Sequence, residues 1–225
     1  MSIVDSFGPA AATLGTGFIM GEFSHHAFNQ DMRKIIMRKI IAALQTSVDC
    51  FIQGPNGERD WTMAEDEETW NDMNETLNSV DTLILGRRMY PEYEQYWLPL
   101  LANPSSGTEN ENAYARRADK IPHIVLSKTL DKVTWKTARI VRDIEEIRKM
   151  KQQRGMNMLA LGGATLISSL INLGLIDEVH LMVNPLILGG GKALFKDVKE
   201  RHALKLMHVK PLKSGKVSLI YNTQS

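Results

Sequence analysis

The chain has few of the features that mark secreted, membrane or nucleic-acid-binding proteins. Cys50 is the only cysteine among 225 residues, so no internal disulfide can form and a reducing cytoplasm is the expected location. The formal net charge is only +1, which argues against broad electrostatic binding to nucleic acid or to an anionic membrane. No apolar run approaches the roughly 20 residues that a membrane helix needs. These absences predict a soluble, cytoplasmic protein, with Cys50 as a small buried hydrophobic residue.

Several catalytic patterns are also missing. The sequence contains no Gly-x-Gly-x-x-Gly fingerprint and no Gly-x-x-x-x-Gly-Lys-Ser/Thr loop, so ATP hydrolysis is not supported. Its histidines do not pair at metal-ligand spacing and no Cys-x-x-Cys occurs, which predicts no metal site. No Gly-x-Ser-x-Gly elbow appears either. Hydride transfer remains, because it requires orientation and a dry pocket more than a reactive side chain.

The order of apolar segments and glycines predicts one α/β domain over residues 33–225, after a poorly ordered N-terminal extension over residues 1–32. Alternating strands and helices imply a mostly parallel sheet covered on both faces, with a C-terminal antiparallel hairpin at its edge. We expect a helix over residues 63–80, a helix broken near Pro91, a surface loop over residues 103–112 and a helix from Ala164 to about Leu173. The predicted strands are Lys34 to Leu44, Thr82 to Leu85, His123 to Leu126, Arg139 to Val141, Met158 to Leu161 and Glu178 to Val183, followed by the hairpin on either side of residues 213–216.

Two predicted strands end in glycine corners that lead into helices. Strand residues before Gly162 and Gly163 are followed by Ala164 and Thr165. A corner without Cβ atoms leaves backbone N–H groups open to a pyrophosphate, although many α/β proteins use such a corner only for close packing. The second corner is made by Gly86, Arg87 and Arg88. Its two guanidiniums match phosphate oxygens in charge and geometry, and they favour NADP over NAD if they do not simply face solvent.

Three carboxylates are candidate proton relays, although acids at such positions are more often simply solvated. Asp49 follows the first predicted strand, where ligands of open α/β sheets bind. Glu67 and Glu68 lie early in the first long helix.

Five motifs in order resemble the dihydrofolate reductase superfamily. They are Ile41-Ala42-Ala43-Leu44 with Ser47-Val48-Asp49, Leu83-Ile84-Leu85-Gly86-Arg87-Arg88-Met89-Tyr90, Ile124-Val125-Leu126-Ser127, Leu161-Gly162-Gly163-Ala164 and Asn184-Pro185-Leu186-Ile187-Leu188-Gly189-Gly190-Gly191. The most similar branch is the reductase domain at the C-terminus of the bifunctional riboflavin-biosynthesis deaminase-reductase. The resemblance extends from about Arg33 to Tyr221, and the deaminase half has no counterpart.

This resemblance implies a three-layer α/β/α dihydrofolate reductase-like fold, NADPH as hydride donor and a small heterocycle or its sugar precursor as acceptor. It places Ala43 near the nicotinamide and Leu126 with Ser127 beside the adenosine moiety. It also implies phosphate contacts at Gly86, Arg87 and Arg88. The corner that holds the pyrophosphate comprises Gly162, Gly163, Ala164 and Thr165.

The substrate is less constrained than the cofactor. The riboflavin branch often has Ser-Leu-Asp-Gly where this chain has Ser47-Val48-Asp49-Cys50. We rank a stand-alone NADPH-dependent reductase of the riboflavin type first and a dihydrofolate reductase second, since Trp61 followed by Glu67 or Glu68 only loosely matches the folate pattern. A nucleotide-binding regulatory module without turnover is the third reading. The resemblance also implies a homodimer, for which residues 186–188 and the hairpin edge offer apolar contacts.

Overall fold

Six parallel strands form the centre of the sheet, and two antiparallel strands extend one edge. The computed structural model describes residues 37–62 and 66–223, and the predicted extension over residues 1–32 lies outside them. The strands are β1 Ile40–Ser47, β2 Phe51–Gln53, β3 Val80–Gly86, β4 His123–Leu126, β5 Ala138–Val141, β6 Asn157–Leu161, β7 Glu178–Asn184, β8 Lys192–Ala193, β9 Lys205–Pro211 and β10 Val217–Asn222. The eight-stranded sheet has the order β5-β4-β3-β6-β1-β7-β10-β9. The parallel part runs from β5 to β7, and β10 and β9 form the predicted antiparallel hairpin.

Helices cover both faces of the sheet, which gives three layers. The helices are α1 Glu67–Asn78, α2 Met89–Ala102, α3 Glu109–Ala118, α4 Ile144–Lys151 and α5 Ala164–Asn172. The first three pack on one face, where their apolar side chains join a cluster with Ile41 and Leu159. The other two pack on the opposite face with Ile40 and Ala160. Successive residues of a strand point to opposite faces, so β1 and β6 contribute to both cores. The predicted three-layer α/β/α architecture is confirmed.

The first strand differs from the prediction at its C-terminal end. It continues to Ser47, whereas the predicted strand ends at Leu44. The ladder with β7 extends as far as Ser47 opposite Asn184. Thr46 and Ser47 are therefore buried although they are polar, and their position between two strands outweighs their modest propensity for a core.

The segment over residues 103–112 is not one surface loop. The helix α3 begins within it at Glu109, after a capping box in which the Thr108 N–H donates to Glu111 Oε2 at 2.7 Å. Such a box satisfies the free N–H groups of a first turn. The helix α2 is also continuous through Pro91, because proline in a first turn removes no intrahelical hydrogen bond.

The first long helix is shorter than the predicted range over residues 63–80. Asp66 is its N-cap and accepts a hydrogen bond from the Thr69 N–H at 2.7 Å, and Val80 already belongs to β3. Residues 63–65, where the predicted helix begins, lie outside the described residues. Among the helices that are described, none is long and apolar enough to cross a membrane.

Cys50 lies in the turn between β1 and β2, and the prediction that it is buried is wrong. Its thiol is exposed, and its φ of 64° is the only positive φ of a non-glycine residue in the described ranges. This is the left-handed region that glycine adopts without strain. The turn geometry suits the glycine that is often found at this position in the riboflavin branch, which the five motifs resemble.

Candidate active site

A cavity of about 500 Å³ lies on the face of the sheet that carries α1, α2 and α3. Its volume is typical of a site for a small organic ligand. The floor comes from β1, β6, β7 and β10, and α1 and α2 form walls. The residues that line the cavity include Ala43, Gln53, Arg59, Trp70, Asp72, Arg88, Glu92, Tyr93, Trp97, Tyr114, Gly162, Gly163, His180, Lys192 and Ser218.

Ala43 lies at the centre of the cavity floor. It pairs with Leu161 of β6 on one side and with His180 of β7 on the other. A side chain of one carbon at this point leaves space above the sheet that a larger residue would fill. The residue that the resemblance assigns to the nicotinamide thus lines the cavity.

The glycine corner at the end of β6 reaches the same cavity. Gly162 and Gly163 both line it, and a Cβ on Gly162 would lie 2.8 Å from Leu166 Cδ2. Close packing against α5 is therefore one reason for this glycine. Gly163 is the N-cap of α5 and has no side-chain cap. No acceptor for the N–H groups of Ala164 and Thr165 occurs within the described part of the chain.

Ala164 and Thr165 occupy different environments beside this corner. Ala164 is buried in the core, and the Thr165 side chain is exposed. Their contribution to a ligand site would therefore come from backbone N–H groups at a helix N-terminus, which favour a bound anion.

The second glycine corner contributes one arginine to the cavity. Gly86 packs against Leu166, since a Cβ on it would lie 3.4 Å from Leu166 Cβ. Arg88 lines the cavity, whereas Arg87 is exposed outside its lining. Both corners therefore contact the same helix.

Leu126 is the last residue of β4 and Ser127 follows it, and neither residue lines this cavity. The Ser127 hydroxyl oxygen accepts hydrogen bonds from the N–H groups of Thr129 at 3.2 Å and Leu130 at 2.8 Å. Arg142 donates to the Ser127 carbonyl at 2.9 Å. This arrangement brings an exposed guanidinium, which sequence reasoning missed, to the strand ends on which the adenosine contact is expected.

Asp49 lies outside the cavity lining and holds a loop. Its carboxylate accepts hydrogen bonds from Ser47 Oγ at 2.6 Å, the Leu188 N–H at 3.1 Å and the Gly189 N–H at 2.7 Å. These donors, led by Ser47, lower the pKa of Asp49. A carboxylate held in its ionised form by three donors is poorly suited to donate a proton near neutral pH.

Glu67 and Glu68 lie in the first turn of α1, also outside the cavity lining. Glu67 is exposed. Glu68 Oε2 accepts a hydrogen bond from the Lys213 N–H at 2.8 Å, which joins the helix to the turn between β9 and β10. Both acids also lie near the N-terminus of a helix, where negative charge is favourable.

Asp72, one turn after Glu68, is the acid of α1 that lines the cavity. Ser218 Oγ donates to its Oδ2 at 2.8 Å, and Lys210 Nζ lies 3.7 Å from its Oδ1. Sequence reasoning missed this residue because it favoured the acids at the helix start. The spacing of four residues from Glu68 was the available signal, because such residues share a helix face.

Aromatic side chains form the wall opposite the strand ends. Trp97 and Tyr114 stack with ring centroids 4.4 Å apart, and Trp70 meets Tyr114 edge to face. Tyr93 is almost fully buried, and its hydroxyl has no hydrogen-bond partner among the described residues. Burial, with the nearby Tyr114 hydroxyl, raises the pKa of Tyr93. The wall is suited to a planar ligand.

The described residues contain no group of three or more His, Cys, Asp or Glu side chains arranged to hold a metal ion. The cavity instead combines a small-residue floor, a glycine corner, an aromatic wall and two carboxylates, Asp72 and Glu92, of which Glu92 is paired with Arg59. This is the arrangement expected of a site for an organic cofactor and a planar substrate.

The family model of the RibD C-terminal domain matches residues 38–218. The chain belongs to the RibD C-terminal domain family. One relative of similar sequence is the uncharacterized protein YyaP of Bacillus subtilis (strain 168). It is 36% identical over 186 residues, which cover 82% of this chain and 95% of that protein. The family indicated by the five motifs is therefore confirmed.

Solved structures share the fold of this RibD C-terminal domain chain. A putative riboflavin biosynthesis protein from Shewanella sp. PV-4 superposes with a TM-score of 0.61 at 20% identity, covering 83% of this chain and 99% of that one. A diaminohydroxyphosphoribosylaminopyrimidine deaminase/5-amino-6-(5-phosphoribosylamino)uracil reductase from Thermotoga maritima gives a TM-score of 0.60 at 13% identity, covering 88% of this chain and 60% of that one. Both likenesses extend over more than four fifths of this chain and agree with the predicted three-layer α/β/α fold.

Proposed function

We propose that this protein is an NADPH-dependent reductase of the riboflavin-biosynthesis type. The observation that carries the proposal is that Ala43 and the Gly162–Gly163 corner line one cavity. A small residue for the nicotinamide and a corner for the pyrophosphate are thus joined by continuous space. NADPH would supply a hydride there. The chain itself would provide orientation through the two glycine corners and an aromatic wall that excludes water.

The acceptor we propose is a small heterocycle or its sugar precursor, such as 5-amino-6-(5-phosphoribosylamino)uracil. The family relationship supports this class, and so does the aromatic wall around Trp70 and Trp97. Asp72 is the carboxylate that we assign to orienting the acceptor or moving its proton, since it is the α1 acid in the cavity. Asp49, Glu67 and Glu68 remain candidates that an acid-by-acid comparison can test.

A pteridine reductase is the second candidate, and Asp72 is the observation that favours it. A carboxylate that accepts from Ser218 still has lone pairs available for the N–H groups of an amino-substituted ring. The same carboxylate is compatible with a pyrimidine. Parallel assays with pyrimidine and pterin acceptors separate the two candidates.

Titration with NADPH and NADH, followed by tryptophan fluorescence, tests the cofactor. We expect saturable quenching with tighter binding of NADPH than NADH, because Arg87, Arg88 and Arg142 lie at the strand ends and can contact an extra phosphate. Trp70 lines the cavity and Trp135 is buried outside its lining. Trp70→Phe should therefore remove more of the quenching than the matched Trp135→Phe.

Turnover is measured as the loss of NADPH absorbance with each acceptor. Oxidation with a pyrimidine acceptor supports the first proposal, and oxidation with a pterin alone supports the second. Binding of NADPH with no oxidation by either class would favour a regulatory module. If neither nucleotide binds, the cofactor assignment is wrong and only the family relationship remains.

We also propose a homodimer formed through β9. This strand is the outer edge of the sheet, and Leu206, Met207 and Val209 are 50%, 56% and 51% exposed. An exposed apolar edge is a template for strand pairing. A second copy of the same edge can pair with it antiparallel across a two-fold axis, which is the commonest symmetry of soluble oligomers.

A further inference from the structure

Two cations that line the cavity, Arg88 and Lys192, have no carboxylate at ion-pair distance among the described residues, and of these two Arg88 is exposed. Lys192 is partly buried and lines the cavity, and no carboxylate within residues 37–62 and 66–223 lies at ion-pair distance from it. Arg59, which also lines the cavity, is paired with Glu92 at 3.0 Å. Removing an ammonium group partly from water is unfavourable unless an anion or a set of acceptors compensates. Lys192, unlike Arg59, is therefore not neutralised by a neighbouring acid among the described residues.

The backbone fixes the position of this lysine. Gly191 has a φ of +124°, and a Cβ on it would collide with the carbonyl oxygen of Gln53. Lys192 then pairs with Gln53 in the short ribbon of β2 and β8. Two residues later, Leu194 is buried in the core, and its N–H donates to the Cys50 carbonyl at 3.0 Å. The backbone of Lys192 is thus fixed by Gly191 before it and by Leu194 after it.

The ammonium group of Lys192 lies beside the glycine corner. A Cβ on Gly163 would be 3.3 Å from Lys192 Nζ. At this corner, the N–H groups of Ala164 and Thr165 find no acceptor within the described ranges. The lysine therefore lies beside Gly163, the N-cap residue that directly precedes these donors, and both Gly163 and Lys192 line the cavity. An ammonium group and backbone donors together suit an oxygen anion better than either does alone.

We infer that Lys192 binds a phosphoryl group of the ligand that occupies this cavity. The inference rests on the proposed function only where NADPH is the source of that group. Two sources share the chemistry: the pyrophosphate of NADPH, and a phosphate carried on the sugar of the acceptor. In either case Lys192 contributes one charge-assisted hydrogen bond.

The test compares four variants of the full chain. Lys192→Gln and Lys192→Met remove the charge, Lys192→Arg keeps it, and Lys196→Gln removes a nearby exposed lysine outside the cavity lining. NADPH binding is measured by fluorescence, and ribose 5-phosphate and inorganic phosphate are titrated by phosphorus NMR. We expect both neutral variants to raise the Kd of the ligand that supplies the phosphoryl group about tenfold, as for the loss of a hydrogen bond to a charged group. Lys192→Arg should stay within about threefold of the wild type, and Lys196→Gln should not differ from it.

The outcomes separate this inference from the proposed function. A change for NADPH alone assigns the pyrophosphate, and a change for ribose 5-phosphate alone assigns the acceptor phosphate. If the wild type does not bind NADPH but binds ribose 5-phosphate through Lys192, the cofactor proposal fails and the inference stands. The inference is overturned if folded neutral variants bind all three probes as tightly as the wild type, or if the wild type binds none of them.

Discussion

Gly162 packs so closely against Leu166 that a Cβ on the glycine would lie 2.8 Å from Leu166 Cδ2. Gly162→Ala should therefore force Leu166 to move and lower the free energy of unfolding by about 1–3 kcal/mol, as overpacking does in other cores. Urea unfolding measures this loss. The displacement of α5 should also weaken NADPH binding.

Gly163→Ala is the matched control for that substitution. The added Cβ would meet only the flexible end of Lys192, at 3.3 Å. We expect the free energy of unfolding to change by less than about 0.5 kcal/mol, while NADPH binding weakens because the methyl group enters the corner. Equal stability losses for the two alanine variants would contradict the packing argument.

Asp72→Asn should lower kcat with the physiological class of acceptor and leave the Kd of NADPH nearly unchanged. A general acid or base contributes about 10²- to 10⁴-fold, and an orienting hydrogen bond contributes less. Steady-state kinetics over a pH series provides the measurement, and a proton-transfer role also removes one limb of the pH profile. Glu75→Gln changes an exposed acid of the same helix and should have no effect.

The same assay decides among the acids that the sequence indicated. Asp49→Asn, Glu67→Gln and Glu68→Gln should retain more activity than Asp72→Asn. A larger loss in any of these three variants, with the fold intact, would transfer the catalytic assignment to that residue.

Cys50→Gly should stabilise the protein by about 1 kcal/mol. The cysteine has a φ of 64°, and a residue with a Cβ is disfavoured there by about that amount relative to glycine. Thermal unfolding measures the shift. Cys50→Ala retains a Cβ and should give no gain, so a similar rise in both variants would mean that the thiol, rather than the backbone, is the source of the effect.

The stability of the protein should fall between pH 6.5 and pH 4 because of His123. Burial lowers the pKa of His123 from 6.5 to about 4. The unfolded chain binds a proton at this residue in that range and the folded chain does not, so stability is present above pH 6.5 and is lost as the pH falls. Urea midpoints across the range provide the measurement.

His123→Phe removes this titration and keeps a ring against Trp135, whose centroid is 4.6 Å away. Between these two pH values, the free energy of unfolding of the variant should depend less steeply on pH than that of the wild type, by up to the equivalent of about one proton. Parallel pH dependences in the two proteins would show that other groups cause the loss.

The proposed dimer predicts that a charge at the sheet edge separates the subunits. Met207→Lys places an ammonium group on the apolar part of β9 and should shift sedimentation from dimer to monomer, because lysine blocks edge pairing. Ile187 is 76% exposed in the segment that the sequence offered as a second contact. Dissociation by Ile187→Lys and not by Met207→Lys would locate the interface at residues 186–188 instead.

Strong local patterns were predictable from the sequence alone. The strand at His123–Leu126 matches the prediction in both bounds, because its apolar residues are bounded by turns. Gly174, which follows the predicted end of α5 near Leu173, has a φ of +62° and therefore adopts the left-handed conformation that ends many helices. In both places local preference and tertiary structure agree.

The structure differs from, or adds to, the sequence predictions where contacts between distant segments decide. The extension of β1 to Ser47 depends on a ladder with β7, more than a hundred residues later in the chain. The position of Asp72 in the cavity depends on β10, which supplies Ser218. The local sequence of the first helix contains no information about that strand, so Glu67 and Glu68 were equally plausible. Lys192 was missed because its role depends on packing against Gly163.

Ser218 completes the cavity from the last strand of the sheet, whereas Ala43 belongs to the first. During synthesis, most of the parallel strands leave the ribosome long before β10 does. A nascent chain therefore has no complete pocket in which a ligand could bind and stabilise the fold until β10 has been synthesised. Ligand can then assist only the last step of maturation, when β10 inserts between β7 and β9.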